Sequence, residues 1–172
     1  MSSRFICFLL RGLFLLSCTT AWSLTLSFSL SAQEKPPRPI SVRVSTAQHL
    51  SFGPIIPTGA DGKVTVTFNG FRTATGNVIL PYISAIISPA LFIVDAEPGT
   101  LINIVNGPNV QLSGSNGGTL ILELGESSTG SPFITTGTTT DVFIGGTLTV
   151  KSLLANPAGN YIGSFQVTFI QQ

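Results

Sequence analysis

From residue 40 onward, apolar and polar positions alternate in short runs. Ile40, Val42 and Val44 share one side of "ISVRV", with Ser41 and Arg43 opposite. "KVTVTF" sets Val64, Val66 and Phe68 against Lys63, Thr65 and Thr67. "TLILEL" sets Leu120, Leu122 and Leu124 against Thr119, Ile121 and Glu123. The last run sets Tyr161, Gly163, Phe165, Val167 and Phe169 against Ser164, Gln166 and Thr168, with Ile162 and Ile170 at its ends. Side chains of an extended strand point alternately to opposite faces, so a strict period of two predicts strands with one buried face. "LFIV" at 91–94, "TLINIV" at 100–105, and "DVFI" with "TLTV" across 141–150 are further strand candidates.

The punctuation agrees. Asn69-Gly70 predicts a tight hairpin between "KVTVTF" and "FRTAT", because such turns need positive φ. Asn116-Gly117, Asp61-Gly62, Asn106-Gly107, Gly145-Gly146 and "NPAGN" mark other breaks, the diglycine as a bulge or tight bend. Residues 127–140 read as a long loop. Pro81 and Pro89 interrupt the apolar stretch between Val78 and Val94 and exclude one long helix there. No segment of helical length carries a 3.6-residue period. Many short strands with regular turns predict an all-β, immunoglobulin-like antiparallel β-sandwich.

The first residues read differently. Arg4 and Arg11 precede an uncharged stretch, Gly12 to Leu30, then the small residues of "SLSA" and polar "QEKPPRP". This order predicts an N-terminal signal peptide over 1–32, cleaved near Ala32. Two alternatives stay open: an uncleaved anchor, since about 20 apolar residues can span a bilayer, and lipidation at Cys18 of "LLSC". Residues 33–39, with Pro36, Pro37 and Pro39, form an extended Pro-rich spacer, and the β-sandwich domain occupies 40–172. Cleavage removes Cys7, Cys18 and Trp22, so no disulfide holds the mature chain. The destination is the periplasm, the cell surface or the outside of the cell, with no membrane contact after cleavage.

Charge then excludes some partners. The mature chain keeps Lys35, Arg38, Arg43, Lys63, Arg72 and Lys151 against seven Asp and Glu. Without a basic stripe, nucleic-acid binding has no electrostatic support. Candidate chemistry is equally sparse. His49 is the single histidine and lacks a partner for nucleophilic or metal chemistry. Asp95 and Glu97 stand before Pro98-Gly99, the composition of a turn. No nucleophile elbow or phosphate loop occurs. Arg72 is a candidate for pairing with an acid across the sheet, and the Tyr161 hydroxyl for anchoring the corner before the last strand. No catalytic, cofactor or metal residue is assigned, and the chain is read as no enzyme.

The motifs "LSFGPI" at 50–55, "GKVTV" at 62–66, "RTATGNVIL" at 72–80, "LFIVDAEPGTLINI" at 91–104, "IGGTLTV" at 144–150 and "PAGNYIGSFQVTF" at 157–169 follow in an order that resembles the bacterial exported family known as domain of unknown function 4402. Gly159, Tyr161, Gly163 and "QVT" give the tail a looser similarity to fimbrial subunits and spore-coat protein U domains. That similarity implies a sandwich lacking one strand, completed by a neighbour through β-strand addition. The chain departs from it in two respects: it keeps no disulfide, and residues 33–39 cannot donate a strand. Ile40–Val44 could donate, or could instead pair with Tyr161–Ile170 inside its own domain. The expected function is that of an exported, non-catalytic structural or surface-interaction protein, a fimbria-like subunit whose partners are itself or other surface subunits. The alternative is a monomeric periplasmic or secreted ligand-binding module.

Overall fold

The computed structural model describes residues 36, 38–45 and 48–172. The expected signal peptide lies outside them. The described part is all β, without a helix, and every pairing between its strands is antiparallel. Its eleven strands are β1 (Ser41–Val44), β2 (Ile56–Val66), β3 (Arg72–Ile79), β4 (Ala90–Asp95), β5 (Leu101–Asn106), β6 (Val110–Gly114), β7 (Thr119–Ser127), β8 (Phe133–Ile134), β9 (Thr139–Val150), β10 (Tyr161–Ile162) and β11 (Val167–Gln171).

Eight strands form one sheet, with the order β1-β4-β9-β7-β6-β10 and with β2 and β3 joined to it through β9. β9 organises this sheet. Its first half pairs with β4, from Ala90↔Ile144 to Asp95↔Thr139. Its second half pairs with β2, from Gly62↔Val150 to Val66↔Gly146, and with β7 on the other side. Gly145-Gly146 therefore ends no strand, and the expected bulge lies opposite it, where the β7–β9 register shifts between Leu124 and Ser127. The strand runs through the pair and changes neighbour there. A Cβ on Gly145 would lie 2.1 Å from the Val66 carbonyl oxygen, so only a bare backbone lets β2 approach so closely. Asp61-Gly62 likewise lies inside β2, beside a register shift between Pro57 and Gly62. The Asn69-Gly70 hairpin closes as a three-residue loop: Thr67 N donates to Phe71 O, Gly70 N donates to Thr67 O, and Gly70 has φ +78°.

A second sheet has the order β11-β5-β8. The final alternating run, expected as one strand, serves both sheets. Tyr161–Ile162 pairs with β6, whereas Val167–Gln171 pairs with β5. The pairing of this run with Ile40–Val44, one of the two roles left open for that segment, does not occur. Those residues pair with β4 instead, in the register Ser41↔Asp95 to Val44↔Phe92. Ile40 N donates to Gln171 Oε1 at 3.3 Å, and Ile40 and Phe169 pack against one apolar cluster, which joins the start of the domain to its end.

Burial follows the alternation. Ala90, Phe92 and Val94 are buried on β4, and Val142, Ile144, Leu148 and Val150 on β9. One apolar cluster joins the sheets: Phe92, Val94, Val142 and Ile144 from the first pack with Ile102 and Phe133 from the second. Phe92 meets Phe169 with ring centroids 5.6 Å apart, and Phe165 at 6.4 Å. The other cluster lies under the β2, β6, β7 and β9 face: Val64, Val66, Leu112, Leu120, Leu122, Leu148 and Val150, with Phe52 over them.

Two side chains fix the corner at 151–161. Asn156 is 3 % exposed, its Oδ1 accepting from Lys151 N at 2.6 Å and its Nδ2 donating to Thr119 O at 2.7 Å. The Tyr161 hydroxyl donates to Pro157 O at 2.7 Å, the anchoring expected of it. Tyr161→Phe removes that bond alone and should lower stability by about 1 kcal/mol. Asn156→Ala strands a buried N–H and carbonyl and should cost about 2–3 kcal/mol. Urea unfolding curves of both variants check the order.

Candidate functional site

The titratable residues singled out from sequence are spread apart. His49 is exposed, and its backbone oxygen accepts from Ser88 Oγ at 2.6 Å. Asp95 pairs with Arg43 on β1, with Arg43 Nη2 2.9 Å from Oδ2, and also accepts from Thr139 Oγ1. Glu97 meets Arg38 Nε at 3.2 Å. Both are solvent-facing ion pairs, each worth at most about 1 kcal/mol. Arg72 finds no acid: its Nη2 donates to the Pro54 carbonyl, and its buried Nε lacks a protein partner. Burial pushes the Arg72 guanidinium below its ordinary pKa. This corrects the expected ion pair, because the loop before β2 reaches the arginine first. Among the described residues no group of three His, Cys, Asp or Glu could hold a metal ion, and no helix is long and apolar enough to cross a membrane.

One concave feature among the described residues is a groove of about 1160 Å³. Leu112 of β6, Leu120 and Leu122 of β7, and Leu148 and Val150 of β9 lie at its base, each no more than 8 % exposed because Phe52, Tyr161 and Phe165 pack on the same cluster. Residues 48–57, leading into β2, form one wall, and residues 156–165, passing through β10, form the other. The sheet order makes these opposite walls. Ser51 exchanges backbone hydrogen bonds with Ser88, just before β4, whereas Tyr161–Ile162 is held by β6. β9 and β7 lie between β4 and β6. No Asp, Glu, Lys or Arg lines the groove.

Both walls carry backbone without a strand partner, although the first turns at Gly53, where φ is +65°, and Pro54 has no N–H to offer. Phe52–Ile55 and Gly163–Phe165 lie outside every strand. Among the described residues their backbone groups make one hydrogen bond, that from Arg72 to Pro54 O. β11, which continues the second wall, has a strand on one side only, β5. Backbone N–H and C=O groups require partners, so such edges bind water or another strand. Sequence reasoning found the alternation of the last run and missed its gap. The signal available was Gly163, whose Cβ would come within 2.6 Å of Leu112 Cδ2, so the backbone itself sits on the floor there.

Residues 42–170 match the model of a family described as Domain of unknown function (DUF4402), and the chain belongs to that family. No curated protein and no solved structure matches it.

Proposed function

For this member of the family, we propose an exported, non-catalytic structural or surface-interaction role, carried by an immunoglobulin-like sandwich left open along one face. It acts by receiving an added β-strand in the groove. The carrying observation is the unpartnered stretch Gly163–Phe165, continued by β11 with a strand on one side only, beside an uncharged leucine-rich groove. An incoming strand would satisfy that backbone and bury alternate apolar side chains in the groove. The cluster shared by the two sheets supports the sandwich reading. A fimbria-like subunit works in this way, and the surface ion pairs of Asp95 and Glu97 offer no competing chemistry.

The competing reading is a monomer that holds an apolar small ligand. The groove, at about 1160 Å³, exceeds the roughly 300–1,000 Å³ usual for small-ligand sites, and its unpaired backbone walls fit a peptide better. Size-exclusion with light scattering, beside an unheated SDS gel, separates the two. Strand addition predicts multiples of the subunit mass that collapse only on heating. A single monomer peak without a ladder would overturn it.

A further inference from the structure

An added strand for this groove needs large apolar residues at every second position and no charge. One stretch of the chain outside the described residues has that pattern. Trp22, Leu24, Leu26, Phe28 and Leu30 alternate with Ser23, Thr25, Ser27 and Ser29, without interruption and without a charged residue. A period of two gives such a segment one wholly apolar and one wholly hydroxylated face when extended. Export alone asks only for an apolar stretch and sets no such period. Nine extended residues span roughly 30 Å. Ile40–Val44, which the sequence left open as a donor, is already paired with β4.

Resting on the strand-addition reading above, we infer that Trp22–Leu30 is the donor strand and that it fills the groove of a second copy of this chain. Its apolar face then turns toward the cluster of Leu112, Leu120, Leu122, Leu148 and Val150, and its backbone pairs along Gly163–Phe165. A second copy is favoured by where the domain begins. Arg38 is held by Glu97, and Ser41 pairs with Asp95, at one end of β4; the groove is lined by Ala90 and Phe92, toward the other end. Pro36, Pro37 and Pro39 stiffen the connection in extended form and oppose a return along the same domain.

The inference also moves the processing site. Secretory leaders run to about 15–30 residues and end on small residues. Thr19-Thr20-Ala21 offers such an end 11 residues before Ala32, and cleavage after Ala21 leaves Trp22 as the first mature residue. Cleavage near Ala32 would remove the donor altogether, so the two sites make opposite predictions.

The full chain, expressed in an exporting bacterial host, gives the test. The exported protein is sequenced from its N-terminus and run unheated on an SDS gel. The expected start lies at or close to Trp22, with a ladder. Leu26→Asp, on the apolar face, should abolish the ladder and leave a monomer. Ser27→Asp, carrying the same charge on the hydroxylated face, should keep it. A start near Gln33 with the ladder intact would overturn this donor and leave strand addition standing. A start at Trp22 without any ladder would overturn both. A ladder that survives Leu26→Asp, or is lost equally in both variants, would refute insertion by the apolar face.

Discussion

Gly145→Ala is expected to yield no folded protein. The added methyl would stand 2.1 Å from Val66 O, 2.7 Å from Thr67 C and 3.0 Å from Phe68 N. All three are backbone atoms at the end of β2, so no side chain can rotate away. β2 would have to separate from β9 where the strand pairs with three neighbours along its length. That opens both apolar clusters, because Val64 and Val66 belong to one and Ile144 to the other. The expected cost is at least about 4 kcal/mol, a large part of the roughly 5–15 kcal/mol that holds a domain together. Gly137→Ala is the control. Its nearest neighbour would be Thr139 O at 3.7 Å, an ordinary contact. Circular dichroism of the two exported proteins should give a β spectrum for Gly137→Ala and none for Gly145→Ala. Two equal, folded spectra would contradict the close approach of β2.

Ile102→Ala is the second large effect. Ile102 is fully buried and comes from the small sheet, β11-β5-β8. It packs in the cluster with Val94, Val142 and Ile144 of the large sheet. Truncation removes three carbons and leaves a cavity between two sheets that cannot close on it, which costs about 2–5 kcal/mol. A drop of roughly 10 °C in Tm follows for a domain of this size. Ile170→Ala, at a 41 % exposed position on the same small sheet, should shift Tm far less. Similar shifts for the two would mean that the sheets do not share a core.

The sequence made the strands legible because each buries one face. Phe92 and Val94, Leu120 and Leu122, and Leu148 and Val150 are buried where the period of two puts them. What it could not convey was which edges meet. Side-chain alternation reports faces, whereas pairing is a matter of backbone, and the two part company in the last run. Tyr161, Phe165, Val167 and Phe169 keep one inward face, yet their hydrogen-bond partner changes from β6 to β5. Gly145-Gly146 was legible as a bulge but not as the point where β9 changes neighbour. Glycine marks close backbone approach as readily as a strand's end, and composition alone does not separate them. Arg72 was read as half of an ion pair because charge was the visible property; its partner, the Pro54 carbonyl, has no sequence signature. The groove was out of reach for the same reason, being defined by what its walls fail to pair with.

The central claim is that these walls accept a strand. Backbone amide exchange measures it directly, in the separated subunit and in the assembled form. The account predicts rapid exchange at Gly163, Ser164 and Phe165 in the separated subunit. It predicts slowing by orders of magnitude at alternate amides once subunits join, at Gly163 and Phe165 or at Ser164, because an added strand bonds every second N–H. Amides at Val64 and Val66, already inside the sheet, should be slow in both. Rapid exchange at all three of Gly163, Ser164 and Phe165 in the assembled form would contradict strand addition.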